Sequence, residues 1–165
     1  MLLLLLGCGE VDPPDDSQTD CPVVVQDTGI QVGVIDQECR CEEALVEIGT
    51  GLEAFEEIVD DALTMVHGPQ GGWHLPAAAR VHNTRNVVSI AAKVTDVETG
   101  IAVTGDLSYR VQVLQEETCV GSYPNMYLYL DTSELDEEGN PARSLSCRRV
   151  VLEFCVEDTG GRSTC

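Results

Sequence analysis

The residues of this chain whose types could do chemistry are three histidines, one tryptophan, eight cysteines and a run of carboxylates. His67 and His74 flank a Gly-rich corner, VHGPQGGWH from Val66 to His74. Two imidazoles meeting there would offer a metal its nitrogens, with Met65 or Met126 as a soft third ligand suited to copper. The plainer reading is preferred: the histidines hydrogen-bond the corner and fix its shape. His82 falls on the same strand face as His74, but strand rise puts the two ~26 Å apart, too far to share an ion. Trp73 offers a surface on which a sugar ring could stack, yet it belongs to a series of inward apolar residues, which favours a core role. The acidic stretch Asp131 to Asn140, DTSELDEEGN, holds carboxylates that would suit calcium or a glycosidase-like pair. In so acidic a chain such pairs arise without a catalytic purpose, so a solvated loop is the preferred reading. No G-x-S-x-G, H-E-x-x-H or phosphate-loop pattern occurs, and Ser144-Leu145-Ser146 has no histidine near it in sequence. The expected class is a non-catalytic module without a cofactor. Loops of such a module carry recognition, which singles out Gly68, Gln70 and Gly72 of the corner and Asp131 and Asp136 of the acidic loop.

The elements that must hold these residues are strands. From Trp73 the series Trp73, Leu75, Ala77, Ala79, Val81 alternates with His74, Pro76, Ala78, Arg80, His82, as in an extended chain with one buried face. Val88, Ile90, Ala92 and Val94 repeat the pattern after the turn-like His82-Asn-Thr-Arg-Asn86, so the spacing predicts a hairpin of the two strands. Further strands are expected at Ala44–Ile48, at Ile101–Val103, around Tyr109, Val111 and Val113, around Met126, Leu128 and Leu130, and around Val150, Leu152, Phe154 and Val156. A short closing strand from Arg162 follows the Asp158–Gly161 turn. Tyr127 and Tyr129 fall on the outward side of theirs. A total of about seven or eight short strands with turn signals between them points to an all-β fold, an immunoglobulin-like antiparallel sandwich.

Length and charge narrow the partners. A chain of 165 residues has room for one domain and a tail. Its formal net charge of -20 repels phosphate backbones, and with 4% aromatics and the single lysine Lys93 it lacks the means to hold a nucleic acid.

At the N-terminus, Leu5-Leu6-Gly7-Cys8 resembles the lipobox of bacterial lipoproteins. The resemblance implies that residues 1–7 are the remnant of a signal peptide and that Cys8 carries acyl chains, which together hold a domain firmly on a membrane. The acidic, Pro-containing residues 8–20 then read as a disordered tether. Residues 21–42 form a Cys-rich extended arm, and residues 43–165 the sandwich. The implied location is the bacterial cell envelope, at the outer membrane, with the domain in the periplasm or at the cell surface. The implied partners are the membrane, through the lipid, and an unidentified protein or glycan. From about Cys41 onward the chain also resembles a group of secreted lipoproteins of myxobacterial type with a VHGPQGGWH-like corner and an immunoglobulin-like sandwich; the group implies no particular activity.

Dispersed cysteines in an exported chain point to disulfides rather than thiolate metal sites. With Cys8 lipidated, seven remain, so one is left over. Cys119 and Cys147 flank the Met126 strand and are expected to pair. Cys155 and Cys165 face each other across the Asp158–Gly161 turn and are a second expected pair. A third would join Cys21 to Cys39 or Cys41.

Overall fold

Alternation of buried and exposed side chains is what assembles the molecule. A computed structural model describes residues 42–60, 62–69, 71–135 and 141–165. The lipobox Cys8, the tether, Cys21, Cys39, Cys41, Gln70 and Asp136 lie outside the described residues. The elements in chain order are β1 (Leu45–Gly49), β2 (Val66–His67), β3 (Trp73–His82), β4 (Val87–Asp96), β5 (Leu107–Gln112), β6 (Leu114–Glu117), β7 (Val120–Leu130), the single helical turn α1 (Pro141–Ser144), β8 (Val150–Asp158) and β9 (Ser163–Thr164). They form two antiparallel sheets. The first runs β1-β3-β7-β6, with β2 pairing the start of β3, and the second runs β5-β4-β8-β9. This is the Greek-key strand order of an immunoglobulin-like sandwich, with the second sheet extended by one strand.

The core lies between the sheets. Leu75, Ala77, Ala79 and Val81 of β3 and Met126, Leu128 and Leu130 of β7 point inward from the first sheet. Val88, Ile90, Ala92 and Val94 of β4 and Leu152, Phe154 and Val156 of β8 meet them from the second. Each fully buried Val, Leu, Ile, Met or Phe side chain of this kind stabilises by about 1.5–3 kcal/mol relative to an exposed one.

The predicted hairpin of β3 with β4 does not form. β3 pairs with β1 and β7, and β4 pairs with β5 and β8, so the two strands lie in different sheets with their apolar stripes facing across the core. Asn83, at φ 57°, bends the chain over, and its backbone N–H donates to Cys119 O at 2.9 Å. A stripe on each strand satisfies a sandwich as well as it would a hairpin, because period two fixes which way a side chain faces and not which strand lies alongside. Residues Ile101–Val103 likewise form no full strand. Ala102 makes an isolated bridge to Thr95, and Val103 is fully buried.

Two carboxylates hold turns between elements of the second sheet. Asp96, fully buried, accepts from Thr99 N at 3.0 Å and Thr99 Oγ1 at 2.7 Å and pairs with Arg148 at 3.1 Å. Burial works to raise its pKa, but the Thr99 hydrogen bonds and the Arg148 charge outweigh this and hold it below the usual carboxylate range. Asp158 accepts from the backbone N–H groups of Arg85, Gly160 and Arg162.

Of the expected disulfides, Cys155–Cys165 is present. The expected Cys119–Cys147 bridge is not made. Cys147 is an exposed free thiol, whereas Cys119 is disulfide-bonded. Flanking the same strand in sequence does not bring two Cβ atoms within bridging distance, and this is where the prediction failed.

Candidate functional site

The glycine corner is the loop of the β2–β3 hairpin. Val66 pairs with His74 and His67 with Trp73, and the loop closes through Gly68 N to Gly72 O at 2.9 Å and Gly71 N to Gly68 O at 3.0 Å. Directly paired residues point to the same side of a sheet and neighbours to opposite sides. His67 therefore shares the side of Trp73, and His74 the opposite, outer side. The register sends the two imidazoles to opposite faces, so the shared copper site considered from the sequence is not assembled. Among the described residues no group of three His, Cys, Asp or Glu side chains gathers to hold a metal.

The histidines shape the corner by ring packing rather than by hydrogen bonds. His67 meets Trp73 edge-on with centroids 5.2 Å apart. His74 meets Tyr127 at 5.8 Å and Tyr129 at 5.5 Å, both edge-on. Its Nδ1 is buried without a hydrogen-bond partner. Two glycines are required here by contact. A Cβ on Gly68 would lie 2.8 Å from His74 Nε2, and one on Gly72, at φ +89°, would lie 2.5 Å from Tyr129 Cε2. The loop backbone thus lies directly on the rings that it covers.

Asp131 reaches the same place from the other end of the chain. It follows β7, whose last residue, Leu130, pairs with Trp73, and its own backbone N–H donates to Val103 O at 2.8 Å. Oδ1 of Asp131 accepts from the backbone N–H of Ser133 at 3.0 Å. Hydrogen bonds from Ser133, backbone first and then side chain, hold this carboxylate below its usual range. The result is a pocket of about 260 Å³ lined by His67, Gly72, Trp73, Tyr129, Leu130, Asp131 and Pro141. Two of the loop regions singled out in the sequence, the corner and the start of the acidic loop, meet across it. Trp73 is neither wholly core nor a free platform: it is half-buried, packs on the core and also lines the pocket.

Tyr127 and Tyr129 are the residues whose importance the sequence understated. They stand two apart on the outer face of β7, 44% and 50% exposed, and Tyr109 of β5 donates its hydroxyl to Tyr127 O at 2.7 Å. Alternation already placed them outward. Only the register of β7 against β3 puts them beside His74.

The other end of the same face is finished differently. Arg80 Nε donates to Glu116 at 2.8 Å, Arg80 lies 3.5 Å from Glu47, and His82 Nε2 is 2.5 Å from the same Glu47. The Arg80 guanidinium also sits 4.0 Å over the Phe55 ring. Phe55 is buried because residues 50–56 fold across the sheet, bridged at Thr50 and Glu56, so that its ring lies on Gly49. A larger cleft of about 520 Å³ lies elsewhere, lined by Met65, Leu75, Leu145, Cys147 and Arg148 among others. Arg148 is already engaged there by Asp96 and Glu98.

Compared with known proteins, the chain matches no family model, no curated protein and no solved structure.

Proposed function

We propose that this protein is a cell-envelope-anchored, non-catalytic binding module that presents the glycine-corner end of its first sheet to a ligand. One observation carries the reading: residues from three separate stretches, His67 to Trp73, Tyr129 with Asp131, and Pro141, converge on a single pocket beside exposed tyrosines. Rings and one ionised carboxylate supply contact area, charge and hydrogen-bond acceptors, which are the means of holding a small ligand. Anchoring is supported by Leu5-Leu6-Gly7-Cys8 and the acidic stretch after it. An oxidising compartment is supported by the Cys155–Cys165 bridge. A second reading, a carbohydrate-binding surface, is favoured by Tyr127 and Tyr129, whose i, i+2 placement spaces their Cα atoms about 7 Å apart along one face.

Two measurements test the proposal. Mass spectrometry of non-reduced protein from its native host is expected to find acyl mass on the Cys8 peptide. In the same material alkylation should reach Cys147 but not Cys119, Cys155 or Cys165. An unmodified Cys8 would remove the anchor. A small-molecule screen read by the fluorescence of Trp73, the only tryptophan, is expected to return ligands that compete at the corner. A screen in which every hit leaves Trp73 unperturbed would remove the binding end.

A further inference from the structure

Cys119 has a disulfide partner, and the described residues do not contain it. Cys155 and Cys165 are bridged to each other and Cys147 is a free thiol, so the partner precedes residue 42, among Cys8, Cys21, Cys39 and Cys41. The geometry at the end of the first sheet selects one of them. Leu45 of β1 pairs with His82 of β3, and His82 pairs with Val120 of β7, so the three residues stand in one row across the sheet. Asn83 begins the next row. Its backbone N–H donates to Cys119 O at 2.9 Å, and its Nδ2 donates to Glu43 O at 2.8 Å and to Glu42 Oε2 at 3.4 Å. Arg162 joins them, donating to Asn83 O at 2.6 Å and also to Glu42 O. Asn83 thus holds Cys119 on one side and, on the other, the two residues that follow Cys41.

The span is short enough for a bridge. Two strand spacings of about 4.8 Å put Glu43 roughly 10 Å from Cys119. Bridged Cα atoms lie about 4.4–6.8 Å apart and each residue spans up to about 3.6 Å, so the step from Glu43 back to Cys41 covers the gap. Cys39 and Cys21 lie farther along the chain, and a longer connection loses more entropy on closing. With Cys8 acylated, as read above, this pairing leaves Cys21 for Cys39 and Cys147 as the odd thiol.

We propose that Cys41 and Cys119 form a disulfide that ties the N-terminal arm across the end of β3 to the β6–β7 turn. Its formation takes two protons and two electrons from the two thiols, joins the sulfurs, and passes both to a disulfide-bearing oxidant of the oxidising compartment, which becomes a dithiol. The tie gives β1 a fixed start. β1 is an edge strand of five residues, paired in the described sheet with β3 alone, and such a strand continued by a free chain frays from that end. The bridge lies at the Arg80 end of the sheet, about 30 Å along β3 from the glycine corner, and stays clear of it.

The test is a tryptic map of the full-length oxidised protein, alkylated with N-ethylmaleimide before cleavage so that Cys147 cannot reshuffle the bridges. Trypsin cuts after Arg40, between Cys39 and Cys41, and so separates these two candidates. The expected product joins residues 41–80 to residues 111–143, and reduction should split it into those two peptides. Residues 111–143 joined instead to the peptide that ends at Arg40 would overturn the pairing. Cys39→Ser should expose Cys21 to alkylation and leave Cys119 blocked; a Cys119 that becomes reactive would overturn it too. In a Cys21→Ser, Cys39→Ser background, adding Cys41→Ser should make the β1 amides exchange with deuterated water about tenfold faster while the β4 amides exchange as before. Unchanged β1 exchange would overturn the tie as the support of that strand.

Discussion

The outer face of the first sheet is built on two central strands, β3 and β7, and its two ends are finished in opposite ways. At the end around Arg80, polar groups are matched across the sheet, Glu47 of β1 to Arg80 and His82 of β3 and Arg80, over β7, to Glu116 of β6, and the Phe55 ring seals the middle of the face. At the end around Tyr129, a glycine loop lies on the rings without sealing them, a pocket opens beside it, and Tyr127 and Tyr129 stay about half exposed. The difference separates scaffold from surface. Where polar groups satisfy one another and apolar ones are covered, the chain spends its contacts on its own stability. Where rings and a carboxylate stay open around a cavity, the same contacts remain available to something else.

The contrast predicts unequal sensitivities. Phe55→Ala should cost most, about 3 kcal/mol by calorimetric or denaturant unfolding, because a buried ring leaves a cavity over Gly49 and Arg80 loses its stacking partner. Tyr127→Ala at the open end should cost under about 1 kcal/mol, since its side chain already meets water. Equal losses at the two sites would break the comparison. Next comes Gly72→Ala, expected to cost about 1–3 kcal/mol and to displace Tyr129, because the new methyl meets that ring in a left-handed backbone conformation. Gly71→Ala sharpens this. Its φ of +85° is similar, but the space around it is open, so its cost should be the backbone share alone, about 1 kcal/mol.

The smallest effect belongs to the ion pairs. Burial works to raise the pKa of Glu116, but hydrogen bonds from Ser122 and Arg80 and the charges of Arg80 and His82 hold it below the usual glutamate range. A carboxylate lowered in the folded state contributes stability that is present above its unfolded pKa of about 4.3 and is lost as the pH falls through the folded value. Glu116→Gln should therefore flatten the acid limb of a stability curve below about pH 4.3. At neutral pH it should cost under about 1 kcal/mol, and less in high salt. An unchanged acid limb would show that the charged end is not the matched network described above.

Much of this was legible in the residues, and the misses share a cause. Inward and outward faces of β3, β4, β7 and β8 followed from period two, since a one-residue slip would put Val81 or Leu128 into water. Partnership did not follow. The stripes of β3 and β4 are compatible with either a hairpin or two facing sheets, and the bend at Asn83 that decides between them leaves only a weak Asn-Thr-Arg-Asn signal. The same gap explains the site. His67 and His74 look like neighbours across a corner until the β2–β3 register assigns them opposite sides. Tyr129 looks like an ordinary outward residue until β7 is laid against β3. The Cys119–Cys147 bridge is absent for a related reason, because two cysteines that flank one strand in sequence need not be neighbours in space.

The most direct test of the contrast is a map of backbone amide shifts by nuclear magnetic resonance as a ligand that perturbs Trp73 fluorescence in the small-molecule screen is titrated into the protein. The expected map lights up Gly68, Gly72, Trp73, Tyr129 and Asp131 and leaves Glu47, Arg80, His82 and Glu116 where they were. Shifts gathered on the Arg80 end, or spread evenly over both, would contradict it.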